Sequence, residues 1–368
     1  MEGKPILNQL SPYKQGKQTK EIQEEFGLSH IVKLASNENP YGYSKMVKER
    51  LSKELPEFNI YPDGYTGELR NALTDKLNVK ENELIFGSGT EEIIQLICRS
   101  YLQPGLNVVV AAPTFPQYKH YALIEGASVK EIPTDTNGYH DMDRMLEAVD
   151  ENTKIVWLCS PNNPTGSVIP KEDLHTFMSK CPDHVLVVYD EAYYEYMDKE
   201  LDVHALSYIN KFDNLITMRT FSKAYGLAGL RIGYGVANSN IITTLDKVRG
   251  PFNTTSIAQK AAITALEDQA FIKHTYVTNK HVKASFETFL DDIGWKYYDS
   301  QTNFLLIVTP TSGTEVFQYL LENGFIVRPG ELLGIPGTVR ITIGTEDDMK
   351  QLQKLLFMFH KEKTKVFE

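Results

Sequence analysis

Five short apolar segments in the first two-thirds of the chain constrain its fold most strongly. They are residues 84–86, 108–111, 155–159, 185–189 and 215–218. Each is followed within two residues by a glycine, a proline or a polar residue. Between the first two segments, Ile93, Ile94 and Ile97 recur at the spacing of one helix face. Segments that are apolar at every position are typical of strands buried on both faces. We therefore predict an α/β fold with a mostly parallel central sheet sandwiched by helices.

The pattern changes around residues 249–251, where an Arg-Gly-Pro sequence interrupts it. Two long helices are predicted next, at 256–268 and 270–291, and a final amphipathic helix from Glu346. Short strands are predicted at 303–308, 325–328 and 339–343. The chain is long enough for two domains of roughly 100–200 residues each. The predicted units are an N-terminal arm that joins the small domain (1–34), a large domain (35–250) and a small α+β domain (251–368).

Composition excludes several classes of function. The 368 residues carry 38 Lys and Arg against 48 Asp and Glu, a net charge of −10 that disfavours nucleic acids and anionic membranes as partners. The N-terminus shows no apolar leader, and no apolar stretch approaches the roughly 18 residues of a membrane span. The three cysteines, Cys98, Cys159 and Cys181, favour a reducing compartment over a disulfide framework or a zinc site. We expect a cytoplasmic protein without a metal.

The candidate functional residues follow the predicted strands, where ligands of open α/β sheets bind. Residues 87–90 (Gly-Ser-Gly-Thr) lie between a strand and a helix, and free N–H groups at a helix N-terminus bind phosphate. Glu92 occupies the place of the third glycine of a dinucleotide fingerprint, so a phosphate cup of another kind is indicated. A tight turn with a helix cap is the alternative.

Asp190 and Lys223 complete a pattern that indicates one cofactor. Asp190 ends the most apolar strand, so it is either a helix cap or surface group, or a buried carboxylate paired with a cationic ring nitrogen. Lys223 precedes a glycine-rich loop and is either a solvated surface lysine or an amine nucleophile for a carbonyl. Ser222 and Arg231 could bind a phosphate beside it. An anion site, a carboxylate and an amine together indicate pyridoxal phosphate.

Several segments resemble the fold-type I pyridoxal-phosphate aminotransferases. The matching segments are 160–166 (SPNNPTG), 190–193 (DEAY) and 222–231 (SKAYGLAGLR). Within that family, further segments are similar to the histidinol-phosphate aminotransferases: 34–42 (LASNENPYG), 61–64 (YPDG), 112–115 (APTF), 327–330 (VRPG) and 340–344 (RITIG). The resemblance covers residues from about 10 to 344, most of the chain.

The resemblance implies roles for the residues that match. Lys223 binds the cofactor aldehyde and then moves protons between the substrate and the cofactor, and Asp190 pairs with the ring nitrogen. Tyr193 and Asn163 hydrogen-bond the ring oxygen, and Phe115 stacks on the ring or, alternatively, only packs in the core. The residues that hold the phosphate are Gly89, Thr90, Thr220, Ser222 and Arg231.

Four further residues concern the substrate and a second subunit. Arg340 binds the substrate carboxylate, which Asn163 also contacts, and Arg328 lies against the substrate phosphate. Tyr13 closes over the site or packs on the surface. Tyr61 either reaches the phosphate of a partner subunit, which would make the active site shared by a homodimer, or packs in the core.

The implied reaction is ping-pong amino transfer between histidinol phosphate or imidazole-acetol phosphate and glutamate or 2-oxoglutarate, in histidine biosynthesis. An aromatic amino-acid aminotransferase and a pyridoxal-phosphate carbon–sulfur β-lyase remain alternatives. A non-catalytic regulator would need a DNA-binding domain, for which the short segment before residue 34 leaves no room.

Overall fold

A seven-stranded sheet is the largest element of the computed structural model, which describes residues 3–10, 19–28 and 30–364. Its strands in spatial order are β2 (Leu84–Gly87), β8 (Gly233–Ala237), β7 (Leu215–Thr220), β6 (Leu186–Asp190), β5 (Thr153–Cys159), β3 (Asn107–Ala112) and β4 (Ser128–Pro133). Strand β8 is antiparallel to both of its neighbours, and the other strands run parallel to one another. The carboxyl ends of these parallel strands therefore meet at one edge of the sheet.

Two smaller sheets lie in the remaining chain. One is antiparallel, with the order β11 (Arg328–Pro329), β12 (Thr338–Thr342) and β9 (Phe304–Val308). The other pairs β1 (Val32–Lys33) in parallel with β10 (Phe325–Ile326). The segment that follows β1 thus starts beside the C-terminal part of the chain.

Helices connect and cover these sheets. Their bounds are α1 (Thr19–Phe26), α2 (Lys45–Lys53), α3 (Gly67–Leu77), α4 (Thr90–Tyr101), α5 (Gln117–Ile124), α6 (Met142–Glu147), α7 (Lys171–Lys180), α8 (Ser239–Asp246), α9 (Ser256–Glu267), α10 (Gln269–Asp292), α11 (Gly313–Glu322) and α12 (Glu346–Thr364). Within the described ranges, none of them has the length and apolarity that a bilayer crossing requires.

Separate apolar cores cover the two faces of the large sheet, because successive side chains of a strand point to opposite faces. Val187 of β6 belongs to one core and its neighbour Val188 to the other. Burial on both faces explains why the central parts of these strands are almost entirely apolar. A third core joins the antiparallel sheet to α10, α11 and α12 through residues such as Leu305, Phe286 and Leu352.

The predicted boundary near residue 250 stays a prediction. Helix α9 lies beyond it, packs on α2 and α3, and contributes Ala258 and Ala261 to one core of the large sheet. The sequence pattern missed β4 and β8 for different physical reasons. β4 is an edge strand without fully buried residues, and β8 contains two glycines in five positions.

Candidate active site

The carboxyl edge of the large sheet collects most of the predicted site residues. Asp190 is the last residue of β6 and Thr220 the last of β7, while Gly89, Phe115 and Asn163 follow β2, β3 and β5. Since these five strands are parallel, their carboxyl ends lie at the same edge of the sheet. The site residues lie at the strand ends because each strand stops where its apolar segment is followed by a turn.

Gly89 and Arg231 form one wall of this site. Gly89 lies directly before α4 with φ +77° and ψ 167°, a backbone conformation that essentially only glycine adopts. A Cβ atom at this position would overlap Arg231 Nη2 and lie 3.0 Å from its Cζ. The Arg231 guanidinium donates to Ser222 Oγ (3.2 Å) and to the Ser88 carbonyl (3.3 Å). No carboxylate of the described residues forms an ion pair with it, so the cation is left for an anion.

Thr90 and Thr220 complete this anion cup. Thr90 is the first residue of α4, whose leading N–H groups have no partner within the helix. No side chain caps this helix start. Thr220 accepts a hydrogen bond from the Ser222 amide at 3.0 Å, which fixes the turn that leads to Lys223. The anion cup thus combines a helix start, a hydroxyl and a guanidinium, which together fit a phosphate group.

Asp190 is a buried carboxylate, and no cationic side chain in the described part of the chain is bonded to it. It is 3% exposed and accepts hydrogen bonds from the Tyr118 hydroxyl (2.7 Å) and the Ala192 amide (3.1 Å). Burial raises the pKa of Asp190 to about 6, although the Tyr118 hydrogen bond opposes this change. A protonated ring nitrogen would compensate the buried negative charge. The surface alternative for Asp190 is therefore wrong, and its pairing with a ring nitrogen stays a prediction.

Lys223 is half-buried and held by the backbone of a distant segment. Its Nζ donates to the Ser36 carbonyl at 3.1 Å and lies 5.6 Å from the centre of the Tyr193 ring. Burial, followed by the positive charge of Arg340, lowers the pKa of Lys223 to about 8. A larger fraction of the amine is consequently neutral near pH 7, as a nucleophile requires.

The loop after Lys223 packs tightly against the same distant segment. Gly226 has φ +72°, and a Cβ atom there would overlap the Gly42 carbonyl oxygen. Nearby, Asn39 Nδ2 donates to the Ala224 carbonyl at 2.8 Å. Residues 36–42 therefore form a lid over the lysine loop.

Arg340 lies opposite this lid on β12 and is 6% exposed. Its Nη1 donates to Asn163 Oδ1 at 2.6 Å, and its Nη2 to the Ala35 carbonyl at 2.7 Å. Asn163 is itself buried, so the hydrogen bond fixes both side chains. The structure thus brings Arg340 and Asn163 together across 177 positions of sequence.

Arg328 faces Arg340 directly in the β11–β12 pair. Directly opposite residues of an antiparallel pair share one face of the sheet, and like charges placed there repel each other. Among the described residues, the side chain of Arg328 has neither a hydrogen bond nor an ion pair. Two adjacent guanidinium groups on one face suit a ligand with two negative charges.

The roles of three further residues, Phe115, Tyr61 and Tyr13, stay predictions. Phe115 is half-buried and meets Tyr118 edge-on at 5.5 Å, so its stacking on a ligand ring stays a prediction. Tyr61 is 78% exposed and stacks on Phe252 at 4.7 Å. Core packing of Tyr61 is therefore wrong, and its role toward a partner stays a prediction. Tyr13 lies outside the described residues.

Comparison with known proteins assigns the chain to a family. The family model "Aminotransferase class I and II" matches residues 29–356. The chain belongs to this family.

Relatives within the aminotransferase family are close. Histidinol-phosphate aminotransferase 2 of Oceanobacillus iheyensis is 65% identical over 362 residues, which cover 98% of this chain and all of that protein. The histidinol-phosphate aminotransferase of Bacillus subtilis (strain 168) is 50% identical, over 97% of this chain and 99% of the relative.

A solved structure of the family shares the fold. The histidinol-phosphate aminotransferase of Sinorhizobium meliloti, in complex with pyridoxal-5'-phosphate, superposes with a TM-score of 0.88 at 26% identity over 97% of each chain. The predicted resemblance and the predicted fold class, α/β with a mostly parallel central sheet, are confirmed.

Sequence reasoning missed two buried residues of this aminotransferase site. Tyr118, on α5, bonds Asp190 across 72 positions, and Asn37 bonds the Tyr193 hydroxyl across 156 positions. Tyr118 is fully buried and stacks on Trp157 at 4.6 Å, so its pattern is that of a core aromatic residue. The only available signal for Asn37 was its place in the segment 34–42, which resembles the family.

Proposed function

We propose that the chain is a pyridoxal-phosphate-dependent aminotransferase that transfers an amino group between histidinol phosphate and 2-oxoglutarate in histidine biosynthesis. The names of the two close relatives support this proposal. The structural observation that carries it is the facing pair of Arg328 and Arg340. Arg328 suits the phosphate of histidinol phosphate, and Arg340 suits the carboxylate of the amino donor glutamate.

The anion cup at the start of α4 fits the phosphate of pyridoxal phosphate, because Gly89 leaves room there for the Arg231 guanidinium. Arg231, Ser222 and Thr220, together with the first amides of α4, would hold the phosphate. Asp190 would hold the proton of the ring nitrogen, and Lys223 would bind the aldehyde through Nζ. When bound, the cofactor supplies a ring that withdraws electrons from the substrate α-carbon.

The chain itself supplies the groups that bind and move protons. Lys223 Nζ, with a pKa of about 8, takes a proton from the α-carbon as a general base and returns it as a general acid. Arg340 and Asn163 orient a carboxylate, as their mutual hydrogen bond prearranges them. 2-Oxoglutarate carries two carboxylates, so the same arginine pair can serve both halves of a ping-pong reaction.

An exposed apolar groove supports a homodimer with a shared active site. Phe58, Ile60, Tyr61 and Phe252 are 74%, 59%, 78% and 45% exposed and line one groove. Exposed apolar patches of this kind mark interaction surfaces. In our proposal a second copy of the chain covers the groove, and Tyr61 of each subunit reaches the cofactor phosphate of the other. The enzyme then acts as a cytoplasmic homodimer.

The decisive experiment compares substrates at saturating 2-oxoglutarate. We expect turnover of histidinol phosphate to exceed that of phenylalanine, and a cysteine conjugate to release no pyruvate. Preferred turnover of phenylalanine would indicate an aromatic amino-acid aminotransferase instead. Pyruvate release without a keto acid would indicate a carbon–sulfur β-lyase.

Arg328→Ala tests the phosphate assignment directly. Loss of a charge-assisted hydrogen bond of about 1.5–3 kcal/mol should raise KM for histidinol phosphate about 10- to 150-fold. KM for phenylalanine should change little. Arg328→Lys keeps the charge without the planar guanidinium, so its KM for histidinol phosphate should lie between those of wild type and Arg328→Ala. Arg99→Ala, on an exposed position of α4, is the control. Equal losses for both substrates would contradict a phosphate-binding role of Arg328.

A further inference from the structure

Three consecutive residues, the last one before the lid and the first two of the lid, each contact a different functional side chain. The contacts are Ala35 O with Arg340 Nη2 (2.7 Å), Ser36 O with Lys223 Nζ (3.1 Å), and Asn37 Nδ2 with Tyr193 Oη (2.8 Å). Asn37 alone among the three makes this contact with its side chain. Neither the family resemblance nor the comparisons give Asn37 a role.

Every polar group of Asn37 has a partner, although the residue is only 1% exposed. Its backbone amide donates to Thr342 Oγ1 (3.0 Å), and its carbonyl accepts from Asn303 Nδ2 (3.0 Å). Its Oδ1 accepts from the Thr342 hydroxyl (3.0 Å). The threonine hydroxyl accepts from the Asn37 amide and gives its own hydrogen to Oδ1. This fixes the orientation of the carboxamide, and Nδ2 must face Tyr193.

The direction of the Asn37 amide determines the direction of the Tyr193 hydroxyl. Tyr193 is 3% exposed, and its oxygen receives a hydrogen from Asn37 Nδ2. The phenol's own hydrogen cannot point back to that donor. No acceptor for this hydrogen exists among the residues that the structure describes. The hydrogen is thus free for a ligand.

We infer that Asn37 is a positioning residue that turns the Tyr193 hydroxyl hydrogen toward the ring oxygen of the bound cofactor. This inference rests on the proposed function for the identity of the acceptor. A hydrogen bond from Tyr193 stabilises the anionic form of that oxygen. Asn37 therefore adjusts the protonation of the cofactor without touching it.

The backbone of Asn37 allows clean substitutions. Its φ is +57°, in the left-handed region that asparagine, aspartate and glycine adopt most readily. Asn37→Asp keeps the shape and the acceptor for Thr342, but replaces the donor to Tyr193 with an acceptor. The Tyr193 hydrogen should then turn to the new carboxylate and leave the cofactor. Asn37→Gly removes the amide without adding a charge.

The first test is a pH titration of the visible absorbance of the chain loaded with pyridoxal phosphate. Asn37→Asp should raise the midpoint by about one pH unit, since one hydrogen bond to the anionic form is lost. Asn37→Gly should raise it by less. In the Tyr193→Phe background neither substitution should move the midpoint further, because the hydroxyl through which Asn37 acts is gone. Undiminished shifts in that background would overturn the inference and indicate a direct charge or packing effect.

Asn78 offers a matched control. It has the same left-handed conformation, with φ +55°, at the end of α3 and outside the site. Asn78→Asp and Asn78→Gly reproduce the charge change and the backbone change without touching Tyr193. Both should leave the midpoint at the wild-type value. A shift as large as that of Asn37→Asp would contradict a specific role for Asn37.

A second measurement works without any cofactor and separates this inference from the proposed function. The chain is labelled with tyrosine carrying 13C at Cζ, and the Tyr193 signal is identified by its absence in Tyr193→Phe. Asn37→Asp should shift this signal, because the hydroxyl changes from acceptor to donor toward residue 37. An unchanged signal would overturn the inference. Absence of a visible band in the loaded wild-type chain, with the signal shifted as expected, would instead refute the proposed cofactor.

Discussion

Gly89→Ala is the sharpest test of the proposed phosphate cup. Gly89 has φ +77° and ψ 167°, and an added Cβ would lie 3.0 Å from Arg231 Cζ and overlap Nη2. The guanidinium would have to leave the start of α4. It would then lose its contacts with the Ser88 carbonyl and with the phosphate that we propose it binds.

This substitution has two effects of similar size that different measurements detect. Backbone strain at a conformation reserved for glycine costs about 1–3 kcal/mol of folding free energy. Displacement of Arg231 costs a charge-assisted hydrogen bond, about 1.5–3 kcal/mol, which appears only when the anion binds. We therefore expect Kd for pyridoxal phosphate to rise about 10- to 150-fold.

The assay is a spectrophotometric titration with pyridoxal phosphate, accompanied by urea unfolding without cofactor. Gly105→Ala is the matched control, because Gly105 also has a positive φ (+92°) but no atom lies within 4 Å of the added Cβ. The control should be strained and destabilised yet bind the cofactor normally. Wild-type affinity in Gly89→Ala, or equal weakening in both variants, would refute the reasoning.

Two further predictions concern the buried carboxylate and the subunit interface. Asp190→Asn should stabilise the chain without cofactor by up to about 3 kcal/mol at pH 8 and by less at pH 5. The folded-state pKa of Asp190 is raised, so its ionisation costs stability as the pH rises from 3.8 to about 6. Urea unfolding at the two pH values checks this, and a variant no more stable than wild type at pH 8 contradicts it. Mixing Tyr61→Phe chains with Lys223→Ala chains should restore some turnover, since one site of each heterodimer would contain both native side chains. If turnover stays at the level of the separate variants, Tyr61 does not act across an interface.

The strands that position the site could be predicted because burial on both faces leaves a direct trace in the sequence. Val187 and Val188 are both apolar since a core lies on each side of β6. The same reasoning could not find β8, where Gly233 has no room for a side chain beside the Thr90 amide. Where two backbones approach this closely, glycine takes the place of the apolar residues that would indicate a strand.

The site could be predicted only in part, for a related reason. Lys223, Asp190 and Arg231 have chemistry that is unusual at a strand end, so sequence position alone made them candidates. Asn37 and Tyr118 act through partners 156 and 72 positions away. Their function depends on which donor meets which acceptor, and no local pattern records that.

The contact between Gly226 and Gly42 has a consequence for protein engineering. The loop of residues 222–231 cannot be exchanged alone for a counterpart with a bulkier residue at position 226, because a side chain there would overlap the main chain of Gly42. A chimaera of two family members must take residues 36–42 and residues 222–231 from the same parent. Otherwise the Lys223 amine would be displaced from its contact with the Ser36 carbonyl even though every side chain of the site had been retained.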